Sequence, residues 1–425
     1  MPTRREFLGT SGAVAAALVL TEEPRRGQGE PLPPSIRALS SMRNRARPIT
    51  VEERSARLDR ARQLLAAQQL DALLLTGGTS LRYFTNIDWG LSERLLALLL
   101  PREGRPFVVC PAFERDRASE QIAAGPLKGM ADVIIWEEHE SPYQRIAEGL
   151  RDRGVSTGHL AVEETVRYVF ASGAATALPA MSLASGTPVT SGCRMIKSAH
   201  ELELMQLAGA VTLKAYEAAY HALKDGMTQE DFARMVSQAH DRLGFRGGAG
   251  VQVGPYSALP HGSATPQVIR EGTILLIDGG CSVEGYASDL SRTFVLGKAT
   301  DRMKQIFAIE QRAQKAALEA ARPGVECQAV DAAARKVITD AGFGPDYKYF
   351  THRVGHGMGM DGHEWPYLVR GNTLPLAAGM VFSDEPGIYL KGEFGVRLED
   401  DMHITEAGAE LFTPTSPSLE DPFGR

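Results

Sequence analysis

The chain has 425 residues, 43% of them hydrophobic and 23% charged, with a formal net charge of −6. That length and balance give a globular composition with core material for two or three domains. An acidic balance with no Lys/Arg block excludes a general nucleic-acid binder. The four cysteines, Cys110, Cys193, Cys281 and Cys327, are far apart and form no CxxC. They read as small buried hydrophobes rather than as a zinc site or a disulfide framework.

In chain order, Thr3-Arg4-Arg5-Glu6-Phe7-Leu8 resembles a twin-arginine export signal. The apolar stretch Gly12–Leu20 behind it is too short to span a bilayer and suits the hydrophobic region of a signal peptide. Residues 1–20 are therefore expected to direct export to the periplasm or the extracellular space. Membrane contact is expected only during export or through an uncleaved signal. Residues 21–48, rich in Pro, Arg and Gly, are expected to be a linker.

Residues 49–193 are expected to form a first α/β domain. Thr50-Val51-Glu52-Glu53 is a capping-box pattern that opens a helix to about Gln69. A buried strand is expected at Asp71–Leu75, then a hairpin of Leu95–Leu100 and Phe107–Cys110. No dense cluster of His, Cys or carboxylates falls in this part, and His139 reads as part of a solvated acidic loop. Residues 194–425 form the second domain. Ser198 and Thr228 open helices to about Lys224 and Leu243, and His200, His221 and His240 on them are given no role. Strand and hairpin signals fill Gly250–Leu296, helices follow at Asp301–Ala321 and Gln328–Ala341, and Tyr349–Leu411 reads as strands and glycine-rich turns.

This second domain holds five motifs. Asp278 sits in Leu275-Leu276-Ile277-Asp278 and Asp289 in Tyr286-Ala287-Ser288-Asp289. A turn at Val283-Glu284-Gly285, centred between Val283 and Glu284, sets the two aspartates opposite each other on one face of a hairpin. Such a pair repels unless a cation lies between. A buried, unpaired aspartate after three apolar residues would be costly. His356 lies in His352-Arg353-Val354-Gly355-His356-Gly357, Glu385 in Ser383-Asp384-Glu385-Pro386-Gly387, and Glu399 in Val396-Arg397-Leu398-Glu399. Four carboxylates and one imidazole suit two hard or borderline divalent cations. A water between such cations is acidified into a nucleophile at neutral pH.

Arg397 is two residues from Glu399 on a probable strand and shares its face. It is read as orienting a ligating carboxylate or meeting a substrate carbonyl. Asp400 and Asp401 are read as non-ligands. Gly355, Gly357 and Gly359 are expected to let the backbone approach metals or substrate. His261, His352, His356 and His363 cluster in the candidate segments, which favours proton transfer and hydrogen bonding to substrate.

The order Asp, eleven residues, Asp, then His, Glu and Glu resembles the pita-bread metallopeptidases: aminopeptidase P, prolidase and relatives. Pro260-His261-Gly262, Glu385-Pro386-Gly387-Ile388-Tyr389 and Val396-Arg397-Leu398-Glu399-Asp400-Asp401 carry the same likeness. The resemblance implies an α/β (α+β) fold, a pita-bread catalytic domain preceded by a smaller α/β creatinase-type domain. It implies Asp278, Asp289, His356, Glu385 and Glu399 as ligands of two divalent metal ions. Manganese is expected, with cobalt, zinc or iron as alternatives. It implies His261, His352, His363 and Arg397 around the substrate, with Glu385 moving a proton as well. The implied activity is an Xaa-Pro aminopeptidase or dipeptidase. The expected partners are a small peptide with proline second and another copy of the chain in a homodimer. A creatinase-like amidinohydrolase and a non-catalytic peptide-binding protein are the rival readings. Both tolerate loss of ligands, whereas all five stand here.

Overall fold

The computed structural model describes residues 31–424, so the export-signal expectation for residues 1–20 lies outside the described residues. The linker expectation is corrected from Pro34 onward. Pro34–Arg37 is a short helix (α1), and Arg43–Arg45 is a 3-10 turn. Ile36 and Met42 are buried. The Ser35 hydroxyl donates to Ala218 O at 2.7 Å, and the Met42 N–H donates to Leu243 O at 2.8 Å. Two apolar anchors and satisfied backbone groups dock this Pro/Arg-rich stretch, which composition alone reads as unstructured.

The first half is a mixed sheet wrapped by helices. Helix α2 (Val51–Ala67) leads into β1 (Ala72–Thr76) and α3 (Thr79–Thr85). The expected hairpin follows as β2 (Ala97–Pro101) and β3 (Phe107–Pro111), paired antiparallel. Then come α4 (Arg115–Ala123), β4 (Asp132–Trp136), α5 (Pro142–Arg151), β5 (Gly158–Val162), α6 (Tyr168–Ala177), β6 (Met181–Ser185) and α7 (Thr187–Arg194). The strand order is β4-β3-β2-β1-β5-β6. Strand β1 is buried on both faces. Leu73 and Leu75 enter one apolar layer while Ala72 and Leu74 enter the other. The period-2 alternation of a strand makes that division.

The second half starts with α8 (Ala199–Tyr220) and α9 (Gln229–Leu243). Thr50, Ser198 and Thr228 each cap their helices as expected, with the third residue on returning the bond. Strands β7 (Gly247–Val253), β8 (Ile274–Val283), β9 (Tyr286–Ala287) and β10 (Leu290–Val295) form an antiparallel sheet in the order β10-β8-β7, with β9 on β8. Helices α10 (Asp301–Ala320) and α11 (Cys327–Asp340) follow. The last strands are β11 (Gly355–Gly357), β12 (Glu364–Leu368), β13 (Val381–Asp384), β14 (Gly387–Leu390), β15 (Phe394–Arg397), β16 (Asp400–Ile404) and β17 (Ala409–Leu411). They make a five-stranded sheet, β12-β11-β13-β16-β17, and the separate hairpin β14-β15. From Pro34 on the chain forms one compact unit. All four cysteines are buried and free.

The glycines of β11 serve a different purpose from the one expected. A Cβ on Gly355 would lie 2.0 Å from Ser383 O, and one on Gly357 would lie 2.5 Å from Glu364 O. They let β11 sit tightly between β12 and β13, and it is this packing that fixes His356. Gly355→Ala is expected to cost about 2–3 kcal/mol in urea denaturation through overpacking. Gly408→Ala, where a Cβ meets nothing within 4 Å, is expected to stay within about 0.5 kcal/mol.

Candidate active site

The β8–β10 hairpin corrects one detail of the sequence reading. Val283 pairs with Tyr286, so the turn is the two-residue Glu284-Gly285, with φ of 52° and 95°. Two positive φ values make the turn twist with the strands. Asp278 therefore opposes Ser291, and Asp289 lies diagonally, two residues earlier in the gap between β9 and β10. Gly285 marked a left-handed position, but nothing marked Glu284 as a second one. The register moves by two residues, so the face is preserved. One carboxylate oxygen each from Asp278, Asp289 and Glu399 all lie within 4.8 Å of one another.

Ser291 is a residue the sequence reading missed. It bridges Glu399 across to β10, and its hydroxyl lies 2.8 Å from Asp278 Oδ1 and 2.6 Å from Glu399 Oε2. One hydroxyl proton serves only one of these oxygens at a time. Arg397 Nε donates to the same Oγ at 2.9 Å. Arg397 Nη2 lies 2.6 Å from Asp278 Oδ2, and its Nη1 donates to Tyr389 OH at 2.9 Å and to Pro260 O at 3.2 Å. Of the two roles read for Arg397, the geometry is that of a group orienting carboxylates. Its donors are occupied by protein oxygens, and it is 3% exposed.

Glu385 follows β13, held by its N–H on Val354 O at 2.8 Å. Its Oε1 lies 3.3 Å from His356 Nε2 and accepts from Ser383 Oγ at 3.2 Å. His356 Nδ1 faces Gly357 O at 3.2 Å, which makes Nδ1 the donor and turns Nε2 toward the carboxylates. Burial opposes the charged imidazole, but hydrogen bonding to Glu385 outweighs it and holds His356 above its ordinary value. For Glu385, burial is likewise outweighed, here by His356 and His352, and the carboxyl is pulled down to about 2. Asp289 goes the other way, to about 7, through burial and the charge of Asp278. Burial and Asp289 push Glu399 well above its usual range.

His352 Nδ1 donates to Arg353 O at 2.8 Å, so Nε2 accepts from Tyr389 OH at 2.7 Å. Tyr389, in a motif noted for its wording but given no role, thus links Arg397 to His352. The His363 ring stacks on His356, with centroids 3.6 Å apart and planes 17° apart. Arg353 Nη2 lies 3.2 Å from His363 Nδ1. Arginine only donates, so Nδ1 accepts and the proton of the neutral ring sits on Nε2. His363 is exposed on one side at the cavity mouth, and the burial of its other side, and then His356, push it down to about 4. His261 is exposed at the rim.

All nine candidate side chains line one cavity of 460 Å³, together with Pro260, Arg353 and Val369. Asp400 and Asp401 point away from it into the fold. Asp400 pairs with Arg292 at 2.7 Å, and Asp401 Oδ2 accepts the Asp289 N–H at 3.1 Å. His240, given no role, is fully buried between Val236 O and Thr212 Oγ1. The donor set fits cations. His356, Glu385 and Glu399 offer a second group of atoms within 4.8 Å of one another. Arg353 and Arg397 are the arginines lining a cavity that holds four carboxylates, and carboxylates this close repel by roughly 3 kcal/mol per pair at an effective dielectric of about 20.

Comparison with known proteins agrees with this geometry. Residues 203–406 match metallopeptidase family M24, and residues 57–196 match the Creatinase/Prolidase N-terminal domain. An Xaa-Pro dipeptidase of Lactobacillus delbrueckii subsp. lactis is 34% identical over 374 residues, 85% of this chain and 98% of that protein. The crystal structure of dipeptidase PepE from Mycobacterium ulcerans matches with a TM-score of 0.82 at 34% identity, over 88% of this chain and 99% of that one. A prolidase from Thermococcus sibiricus matches with a TM-score of 0.77 at 29% identity, over 87% and 98% of the two chains.

The crowded carboxylates make the cation's effect depend on pH. Asp289 rises from an ordinary 3.8 to about 7 on folding, so the metal-free fold holds a proton that the unfolded chain releases. That contribution is full below about pH 4 and is lost as pH rises through 7; the raised His356 and Glu399 act in the same direction. Glu385 opposes them only below its ordinary 4.5. The rise in Tm when manganese is added to chelated protein is expected to be about twofold larger near pH 8 than near pH 5. Equal shifts would mean that the carboxylates do not hold the ion.

Proposed function

The chain belongs to metallopeptidase family M24 and is a metallo-exopeptidase, and on that premise we propose that it cleaves between an N-terminal residue and a following proline, preferring Xaa-Pro dipeptides. One observation carries the reading: four carboxylates and an imidazole converge in a 460 Å³ cavity that three further histidines line. That volume suits a small peptide. Relatives of matching length named as dipeptidases support the dipeptide preference.

In this reading Asp278, Asp289, His356, Glu385 and Glu399 hold two divalent cations, manganese by preference in so oxygen-rich a set. When bound, they supply Lewis acidity and a water acid enough to act as nucleophile at neutral pH. The chain does the rest. Glu385 accepts a proton and passes it on in this reading, which its neighbours His356 at 3.3 Å and His352 Nδ1 at 3.9 Å support. The proline nitrogen must gain that proton to leave as an amine. His363, neutral at working pH, directs Nε2–H at the oxyanion that forms on the scissile carbonyl. Arg397 contributes by fixing Asp278, Ser291 and Tyr389.

Elemental analysis of unchelated protein should give close to two divalent ions per chain, and chelation should abolish hydrolysis. Glu385→Gln is expected to lower kcat by about 10³-fold or more in a folded protein. His363→Ala should lower kcat by about 10²-fold with the metal content intact. An Xaa-Pro dipeptide should be cut faster than the matching Xaa-Pro-Yaa tripeptide. Creatine turnover or metal-free activity would favour the amidinohydrolase reading, and peptide binding without turnover would favour the non-catalytic one.

We also infer export, supported by Arg4-Arg5 ahead of the apolar Gly12–Leu20. Among the described residues no helix is long and apolar enough to cross a membrane. Replacing Arg4 and Arg5 together by lysine should keep the protein in the cytoplasmic fraction. Unchanged export would refute the signal reading and leave the peptidase reading standing.

A further inference from the structure

His363 sits on the loop between β11 and β12, and what grips that loop comes from outside the catalytic sheet. Arg194, the last residue of α7, places Nη2 at 2.6 Å from Asp361 Oδ2, and the same nitrogen also bonds Glu364 Oε2. Lys197 Nζ lies 2.8 Å from Glu364 Oε1. Thr79, the first residue of α3, donates its hydroxyl to Asp361 Oδ1 at 2.5 Å. Met360 packs against the apolar layer that holds Leu73 and Leu75. Asp361 and Glu364 bracket His363, so the loop is held on both sides of the ring.

None of Thr79, Arg194 and Lys197 lines the cavity. Arg194 and Lys197 are 7% and 6% exposed, and Glu364 is 8% exposed. Buried ion pairs of this sort add little net stability, because desolvation offsets attraction, but they define one arrangement. Arg194 reaches both carboxylates through its one nitrogen Nη2, with Nη1 on Ser80 Oγ at 3.4 Å, whereas Lys197 holds Glu364 alone.

We propose that Arg194 is a positioning residue for peptide hydrolysis: by holding Asp361 and Glu364 in place it sets the His363 ring against His356 and aims Nε2–H into the cavity. Thr79 works with it, so the first half of the chain, which supplies no side chain to the cavity, sets the geometry of the second. The inference rests on the reading that His363 acts on substrate.

The test is a kinetic double-mutant cycle on the full chain with its metals, using an Xaa-Pro dipeptide. Arg194→Lys, Asp361→Asn and Thr79→Val are each made alone and with His363→Ala. Asp361→Asn and Thr79→Val keep side-chain shape, so they carry the test where Arg194→Lys does not fold. Alone, Arg194→Lys and Asp361→Asn are expected to lower kcat by about 10–100-fold, the scale of a misplacement near 1 Å, and Thr79→Val by about threefold. KM, Tm and metal content should stay near those of the unaltered protein. In the His363→Ala background the same changes should alter kcat by less than about twofold, because their route is already gone. Unchanged kcat in Asp361→Asn and Thr79→Val, or equal losses with and without His363, would overturn the proposal while the peptidase reading stands. Loss of metal along with activity would overturn it too, since the loop would then be holding ligands. If His363→Ala itself left kcat unchanged, the reading of His363 and the positioning role would fall together.

Discussion

The structure depends on one electrostatic constraint: four carboxylates are held where they repel one another. Asp278, Asp289 and Glu399 bring oxygens within 4.8 Å, and Glu385 joins through His356 and Glu399. No arrangement of these side chains is stable by itself at neutral pH. Either protons or cations must enter. The displaced titrations are the signature of that tension. Asp289 and Glu399 are shifted up, while Glu385 is shifted down because the hydrogen bond from His356 outweighs its burial. A divalent cation removes the need for all three shifts. The surrounding fold serves to keep the oxygens from moving apart.

It does so with buried polar groups in layers. Arg397 and Ser291 fix the inner edges of Asp278 and Glu399. Behind them Arg292 is fully buried and bonds both Glu399 O and Asp400. Asp401 takes the backbone N–H of Asp289, which fixes a residue lying outside regular pairing. Glu310 and Asp384 lie farther back, fully buried with no hydrogen-bond partner for either carboxyl oxygen. Burial drives both well above their usual range, which favours the uncharged acid behind the crowded centre. The acids of this site thus differ by environment: unpartnered buried acids behind, paired acids between, and crowded acids at the cavity.

The sequence made the site's chemistry legible because three of the five candidate ligands stood out against their local pattern. Asp278 ended an apolar run, Glu385 ended a strand before Pro-Gly, and Arg397 and Glu399 shared a face. Such contradictions between pattern and residue are cheap to see and costly to bury. Residues that obeyed local rules stayed hidden. Ser291 and Tyr389 are ordinary strand residues, and only the register shows that one lies between two carboxylates and the other between Arg397 and His352. The hairpin register was off by two because Glu284 adopts a left-handed φ that its side chain does not announce. The glycines of β11 were recognised as special, but their reason lay in strands far away in sequence. Docking of the chain from Pro34 was invisible because composition does not show the surface that Ile36 and Met42 find.

The first half of the chain illustrates the same limit at larger scale. It carries no ligand, and from sequence it reads as inert. Yet Arg57 donates to Glu201 at 3.1 Å and to Tyr286 OH at 2.7 Å, and Tyr286 OH donates to Glu201 at 2.7 Å. Tyr286 lies three residues before Asp289, so this buried triad ties α2 and α8 to the strand that leads into the site. Arg194 and Thr79 tie the same half to the loop bearing His363, and Lys197, between α7 and α8, adds a third contact. Well-packed apolar residues would hold two halves together as firmly, and with less desolvation cost. What they would not do is forbid sliding, because apolar contacts tolerate small shifts and an arginine nitrogen bonded to two acids at once does not. A centre whose carboxylates repel needs its second half held to fractions of an ångström. The ionic contacts lie where that precision is required, beside the hairpin of Asp289 and the loop of His363, and the apolar layer of the first sheet meets that loop through Met360.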